Sequence, residues 1–382
     1  MVRHGTFAYT WDVVGDPAAA GRIAELGVDT VTLQAAYHSV RAITPLHPAH
    51  RIIHADYAAA YFRLRPERWR ARLKPPAPAW GVEDDDRFGT AATALSRAGL
   101  RVEAWLVLAH SSRLGAAFPD LTVRNAFGES YPYALCPARP EVRDYCLGLV
   151  AEVCEQYDTV DALMLEACGW LGYEHFSPHD KTSGADLSQS ARTLLSICLC
   201  PACRRAQAKR GMDGEELARD VRAAIERELR DGVTADLVLG EEQARILYDH
   251  RTTVITELVT RAAELGGGRE VLLMAADDPL ATGPDVGVDL ARFPGPADTF
   301  VVKAWREDED AAIAAVKSAI QRTAKPVVAN VTVLGERPKA TAARVGRLLN
   351  AGAAGIRYYH AGLASMPRLT ALREAVQLEE QS

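Results

Sequence analysis

The sequence predicts a (β/α)8 barrel, of the TIM type, with enlarged loops after strands two, three and four. Three observations predict it. Eight apolar, β-branched runs recur along the chain, nearly all separated by segments of helical period. The later runs are continuously apolar, as parallel strands buried on both faces are. No Gly-rich phosphate turn follows the first run, which argues against an open doubly wound sheet; "GGGRE" at 266–270 precedes a strand instead of following one.

The elements follow in order. "TFAYTW" (6–11) is the first strand, and the helical pattern "DPAAAGRIAELG" leads to the second, "DTVTLQAAYH" (29–38). A stretch rich in Pro, His and Arg at 39–84 interrupts the rhythm as a first inserted subregion. "DRFGTAATALSRAGL" is helical and "RVEAWLVLAH" (101–110) is strand three. "PEVRDYCLGLVAEVCEQY" reads as a helix with Pro near its first turn, and "VDALMLEACGW" (160–170) as strand four with its outgoing loop. Residues 167–250 form a second inserted subregion, whose charged helical run "EELARDVRAAIEREL" reads as a solvated face. Strands five to eight are "REVLLMAADD" (269–278), "DTFVVKAW" (298–305), "KPVVANVTV" (325–333) and "AGIRYYHAG" (354–362). The helical patterns "DEDAAIAAVKSAIQRT" and "KATAARVGRLLNAG" separate the last three, and residues 1–382 are expected to form one domain.

Composition narrows the function classes. A hydrophobic fraction of 48% and a charged fraction of 25% describe a soluble globular protein, and 382 residues bury ample core without staples. A formal net charge of -6 supplies no electrostatic attraction to nucleic acid or to an anionic membrane. "MVRHGTFAYTWDVVGD" lacks the apolar run of a signal peptide, and no segment is long enough to span a bilayer. A cytoplasmic location is expected, where disulfides are rare. A homo-oligomer is compatible with this composition.

In such barrels the chemistry gathers at the C-terminal ends of the strands. Those ends carry Trp11 and Asp12, Tyr37 and His38, His110, and Glu166. They continue with Asp277 and Asp278, Lys303 and Trp305, Asn330, and the run Tyr358, Tyr359, His360. Rings, carboxylates and amides at these places suit a small carbohydrate or glycoside, whose apolar faces stack and whose hydroxyls are bonded. Trp11, Asp12, His38, His110, Asn125, His179, Lys303, Trp305 and Tyr359 are the candidate substrate-binding residues. The plain alternative is that several of the rings cap the barrel core.

Glu166 ends the apolar run "ALML", where a raised pKa would make a carboxyl a general acid; the alternative is a structural Glu paired with a Lys or Arg. Glycoside hydrolysis normally needs a second carboxyl. Asp277 is the first choice because it follows "VLLMAA" directly, with Asp278, Glu336 and Asp12 as the others, although "DDP" also reads as a turn. In "EHFSPHDK", His175 and His179 are four apart, but Pro178 argues against a helix. A polar loop over the site, a second metal and an incidental surface loop are the three readings. Lys303 admits a Schiff-base scheme, which would make the protein an aldolase-like lyase or an isomerase. A carbohydrate binder without turnover is the third class.

Seven cysteines are present, three of them at Cys-X-Cys-X2-Cys spacing as Cys198, Cys200 and Cys203 in "LLSICLCPACRRAQ". Three thiolates so close cannot all pair with each other, and zinc takes four ligands. Cys136 in "YPYALCPARPEVRDY" is the natural fourth and Cys168 a rival, while Cys146 and Cys154 read as core. A strand-four Glu, a "C-P-x-x-P" loop before it and a "C-x-C-P-x-C" helix start after it resemble glycoside hydrolase family 42. The stretch from "NAFGESYPYALCP" to "DALMLE" is also similar to uncharacterised glycosidase-like barrels, and the resemblance covers roughly residues 100–210. It implies a structural zinc held by Cys136, Cys198, Cys200 and Cys203, and Glu166 as the acid/base on a (β/α)8 barrel.

Overall fold

The computed structural model describes residues 3–79, 86–174, 181–235, 239–335 and 340–377. Eight parallel strands close on themselves: β1 (Arg3–Ala8), β2 (Thr30–Tyr37), β3 (Arg101–Val107), β4 (Ala162–Glu166), β5 (Glu270–Ala276), β6 (Thr299–Lys303), β7 (Val327–Thr332) and β8 (Gly355–Tyr359). Each pairs with its sequence neighbours, and β1 pairs with both β2 and β8. This is the predicted barrel. The first strand ends earlier than its apolar run, at Ala8, so Trp11 and Asp12 sit on a one-turn helix, Thr10–Val13, instead of a strand end.

Register decides which side chains face inward, because successive residues of a strand alternate. The pairings Phe7 with Thr32, Gln34 with Trp105, Val107 with Glu166, Lys303 with Asn330 and Thr332 with Tyr359 trace one inward-facing set around the ring. Low in the barrel that set contains a buried ion pair. Arg357 donates from Nη2 to Glu103 Oε1 at 2.5 Å and from Nε to Oε2 at 3.1 Å, with Thr32 Oγ1 adding a 2.6 Å bond. Both charged residues are 2% exposed. Gly5 makes the room: a Cβ there would lie 2.7 Å from Arg357 Cδ.

Helices α1 (Ala19–Ala24), α2 (Arg87–Arg97), α3 (Pro140–Gln156), α4 (Glu241–Gly266), α5 (Glu309–Arg322), α6 (Ala342–Asn350) and α7 (Met366–Gln377) surround the strands. Pro140 opens α3 at a position where its missing N–H costs nothing. No helix lies between β5 and β6.

Three connections are enlarged, after β2, β3 and β4. The first carries the hairpin Val40–Ile43 with Ile52–Ala55, and the second the hairpin Thr122–Arg124 with Ser130–Leu135. The third adds helices Gln189–Leu195, Pro201–Ala208 and Gly214–Asp231, which enclose an apolar core of their own with Leu194, Leu217, Val221, Ile225 and Ile246. Among the described residues, no helix is long and apolar enough to cross a membrane.

Candidate active site

The inward register delivers Glu166, Lys303 and Tyr359 to the same end of the barrel. Glu166 is buried at the end of β4, and Trp105 Nε1 donates to its Oε2 at 2.6 Å. Burial pushes its pKa up to about 7, against the Lys303 charge and the Trp105 bond, with Asp285 adding to the rise. The residue after it, Ala167, has φ +56°, a left-handed conformation that is uncommon for a residue with a Cβ. Its N–H donates to the Pro284 carbonyl at 2.9 Å, which ties the exit of β4 to the loop after β5.

Asp285 follows Pro284 and pairs with Lys303, Nζ to Oδ2, at 2.7 Å. Its other oxygen, Oδ1, is buried and has no hydrogen-bond partner among the described residues. Burial works against the Lys303 charge, but Asp285 and Glu166 outweigh it and hold the ammonium above its usual pKa. The same ammonium lies 4.9 Å from the centre of the Trp305 ring. Trp305 donates to Asn330 Oδ1 at 3.2 Å and packs on Tyr359 at 4.7 Å between centroids.

Three phenols meet over the barrel interior. Tyr9 donates to Tyr37 at 3.1 Å, and the Tyr359 hydroxyl lies 3.4 Å from Tyr9 and 3.2 Å from Tyr37. A register shift between Gln34 and Ala36 precedes Tyr37, the kind of bulge that re-aims a side chain. His38 stacks on Tyr37 at 4.1 Å and lies 4.6 Å from the His110 ring. Burial lowers the His38 pKa, so its imidazole is neutral near pH 7.

The other expected residues lie elsewhere. Asp277 is one residue past the inward-facing Ala276, and it pairs with Arg322 of α5 at 3.0 Å. Asp278 Oδ1 accepts from the Leu280 N–H at 2.9 Å, the turn that the "DDP" motif also encodes. Trp11 is fully buried between Tyr9 and Tyr61 and caps the core. Asp12 accepts from the Tyr9 N–H at 2.8 Å, and burial pushes its pKa up to about 7. Its Oδ2 is 3.8 Å from Nδ1 of His360, whose pKa burial lowers to about 3. Asn125 organises a turn: its Oδ1 accepts from the Phe127 and Glu129 N–H groups, and its Nδ2 donates to Glu129. Tyr358 faces outward, onto His4, at 3.0 Å. His175, His179 and Glu336 lie outside the described residues.

Sequence reasoning missed Asp285, Trp105 and Tyr9, the phenol that joins Tyr37 and Tyr359. Trp105 was discoverable, since it stands two residues from Glu103 on the same face of β3. Asp285 had only "GPDVG" to mark it.

The four cysteines meet beside this site. Cys136 Sγ lies 3.6 Å from Cys203, 3.7 Å from Cys200 and 3.8 Å from Cys198, and all four sulfurs fall within 4.8 Å of one another. Thiolates about 2.3 Å from a tetrahedral zinc stand about 3.8 Å apart, so the donor set and its spacing fit. The cluster is buried and compatible with a structural metal such as zinc. Cys136 leaves the β3 hairpin, its N–H held by the Leu121 carbonyl at 2.8 Å, and Cys200 caps helix Pro201–Ala208. None of the seven cysteines is joined in a disulfide, and Cys146, Cys154 and Cys168 are buried outside the cluster.

No protein-family model matches the chain, and no curated relative is detectable from its sequence. Solved structures do match. The β-galactosidase of the psychrophilic Marinomonas ef1 superposes with a TM-score of 0.58 at 12% identity, over 99% of this chain and 59% of that one. The α-L-fucosidase isoenzyme 2 of Paenibacillus thiaminolyticus gives 0.54 at 15% identity, over 99% and 49%. What these structures share with the chain is the barrel architecture. At these identities the likeness is one of fold, and the chain spans about half to three-fifths of the length of these two structures.

Proposed function

We propose that the protein is a glycoside hydrolase with Glu166 as general acid/base and Asp285 as the second carboxylate. The observation that carries this reading is the environment of Glu166: a buried carboxyl pushed up to about 7, beside an ion-paired Asp285. Glu166 protonates the leaving glycosidic oxygen while Asp285, ion-paired with Lys303, attacks the anomeric carbon or deprotonates water. Asp285 takes the place expected for Asp277, whose side chain is turned to Arg322. The ring of Trp305 and the phenol of Tyr359 meet the sugar, and His38 and His110 bond its hydroxyls.

Membership of family 42 is supported by the spacing of the four cysteines, and Zn2+ held by Cys136, Cys198, Cys200 and Cys203 would have a structural role. That family places Asn before its acid/base and a nucleophilic Glu at the end of strand seven. Here Leu165 precedes Glu166, and β7 ends in Asn330, Val331 and Thr332, which favours Asp285 as the partner. Lys303 argues against the Schiff-base alternative, because that chemistry needs a neutral amine and Asp285 holds this one as an ammonium.

A panel of aryl glycosides tests the assignment. Glu166→Gln and Asp285→Asn are each expected to lower kcat by about 100-fold or more, and Asp277→Asn by less than about threefold. The reverse ranking of the two aspartates would sink the role given to Asp285. Metal analysis is expected to find about one zinc per chain, lost in Cys200→Ala.

A further inference from the structure

Between the cysteine cluster and the loops of the site stands one buried cation. Arg251, on α4, is 6% exposed. Its Nη1 donates to the Pro279 carbonyl at 3.1 Å and to the Ala281 carbonyl at 3.3 Å, and its guanidinium lies 5.5 Å from the centre of the Trp170 ring. Among the described residues no carboxylate forms a salt bridge with it. Its helix packs on helix Pro201–Ala208, which carries Cys203, and on α3, which follows Cys136. Four thiolates around one divalent ion keep a net charge of about -2, which a buried guanidinium offsets.

The same groups reach the site through the backbone. The Trp170 carbonyl accepts from the Gly283 N–H at 3.1 Å, and the Ala167 N–H donates to the Pro284 carbonyl at 2.9 Å. The loop gripped by Arg251 at Pro279 and Ala281 therefore runs on to Asp285, and it is fastened to the exit of β4 on both sides of Cys168.

We propose that Arg251 is a positioning residue that couples the four-cysteine centre to the loop Pro279–Asp285, so that a metal in that centre sets the placement of Asp285 beside Lys303. The catalytic consequence rests on the glycosidase reading above; the coupling itself does not.

Hydrogen exchange on the full chain tests it, with zinc bound and after chelation, in the wild type and in Arg251→Met. In the wild type, removing zinc is expected to raise exchange of the 280–286 amides by about tenfold or more, while strand β3 stays protected. In Arg251→Met the loop is expected to exchange fast already and to change less than about twofold on chelation, with zinc still bound beforehand. An equal rise in both backgrounds, or none in the wild type, overturns the coupling. If chelation unfolds the barrel, the zinc-bound variants decide: fast loop exchange in Arg251→Met with partial recovery in Arg251→Lys upholds it, and wild-type exchange in both overturns it. Arg251→Lys alone serves if Arg251→Met does not fold, since it keeps the charge but loses the fork: raised loop exchange upholds the proposal and unchanged exchange overturns it. Coupling without turnover of any glycoside would uphold the link and sink the glycosidase reading. Turnover with additive exchange would sink only the link.

Discussion

Glu103 and Glu166 face the inside of the same barrel from neighbouring strands, and burial acts on both. At Glu103 burial would raise the pKa, but Arg357 and Thr32 bond the carboxylate directly and hold it below its usual value. At Glu166 the direct donor is the neutral indole of Trp105, and the nearby ammonium of Lys303 is engaged with Asp285. Burial wins there, and the pKa reaches about 7. The difference lies in the partner and its commitments. A carboxylate given a cation of its own becomes structure, and one whose cation is shared keeps a proton to donate.

The two sites also respond to pH with opposite sign. Glu103, with its lowered pKa, contributes stability that is present above the unfolded value near 4.5 and lost as acid titrates the folded group. Glu166, with its raised pKa, costs stability as pH climbs from near 4.5 through about 7, because the folded state holds the proton longer. The largest test of the comparison is Arg357→Met, which strands Glu103 as an unpaired buried charge. It is expected to lower unfolding stability by about 3–5 kcal/mol in denaturant titrations at pH 8, where Glu166→Gln is expected to stabilise. Equal losses in the two variants would erase the distinction.

A smaller effect sharpens it. Lys303→Met removes the cation that restrains Glu166, so the basic limb of the kcat/KM profile, which reports the acid, is expected to move to higher pH. A limb that stays in place would mean that another group donates the proton. The smallest expected effect is that of Asn125→Ala, which loses turn hydrogen bonds worth about 1 kcal/mol and leaves turnover within about twofold. A loss of substrate affinity there would return Asn125 to the binding residues.

Much of the barrel was legible because each strand is an apolar run of its own, and local patterning specifies it. Glu166, Lys303 and Tyr359 were legible as strand ends. Asp277 was read from its distance along the chain, without its face, and one step past Ala276 turns it outward. Asp285 depends on a loop placed by the carbonyl of Pro284 and by Lys303, contacts that no local pattern announces. The Glu103–Arg357 pair spans 254 residues of sequence, and its one local trace is the absent side chain of Gly5. The cysteines were the most legible feature, since a metal's coordination geometry is written in residue type and spacing.

The segment 197–200 shows what those cysteines separate. Ile197 and Leu199 pack into the core of the insertion, while Cys198 and Cys200 turn to the barrel. A single extended stretch is thus a party wall, with grease on one side and sulfur on the other. Drift in the insertion's aliphatic residues can be absorbed there by repacking among themselves. The side fastened to the barrel has no such latitude, so the insertion is free to change its contents while keeping its rivets.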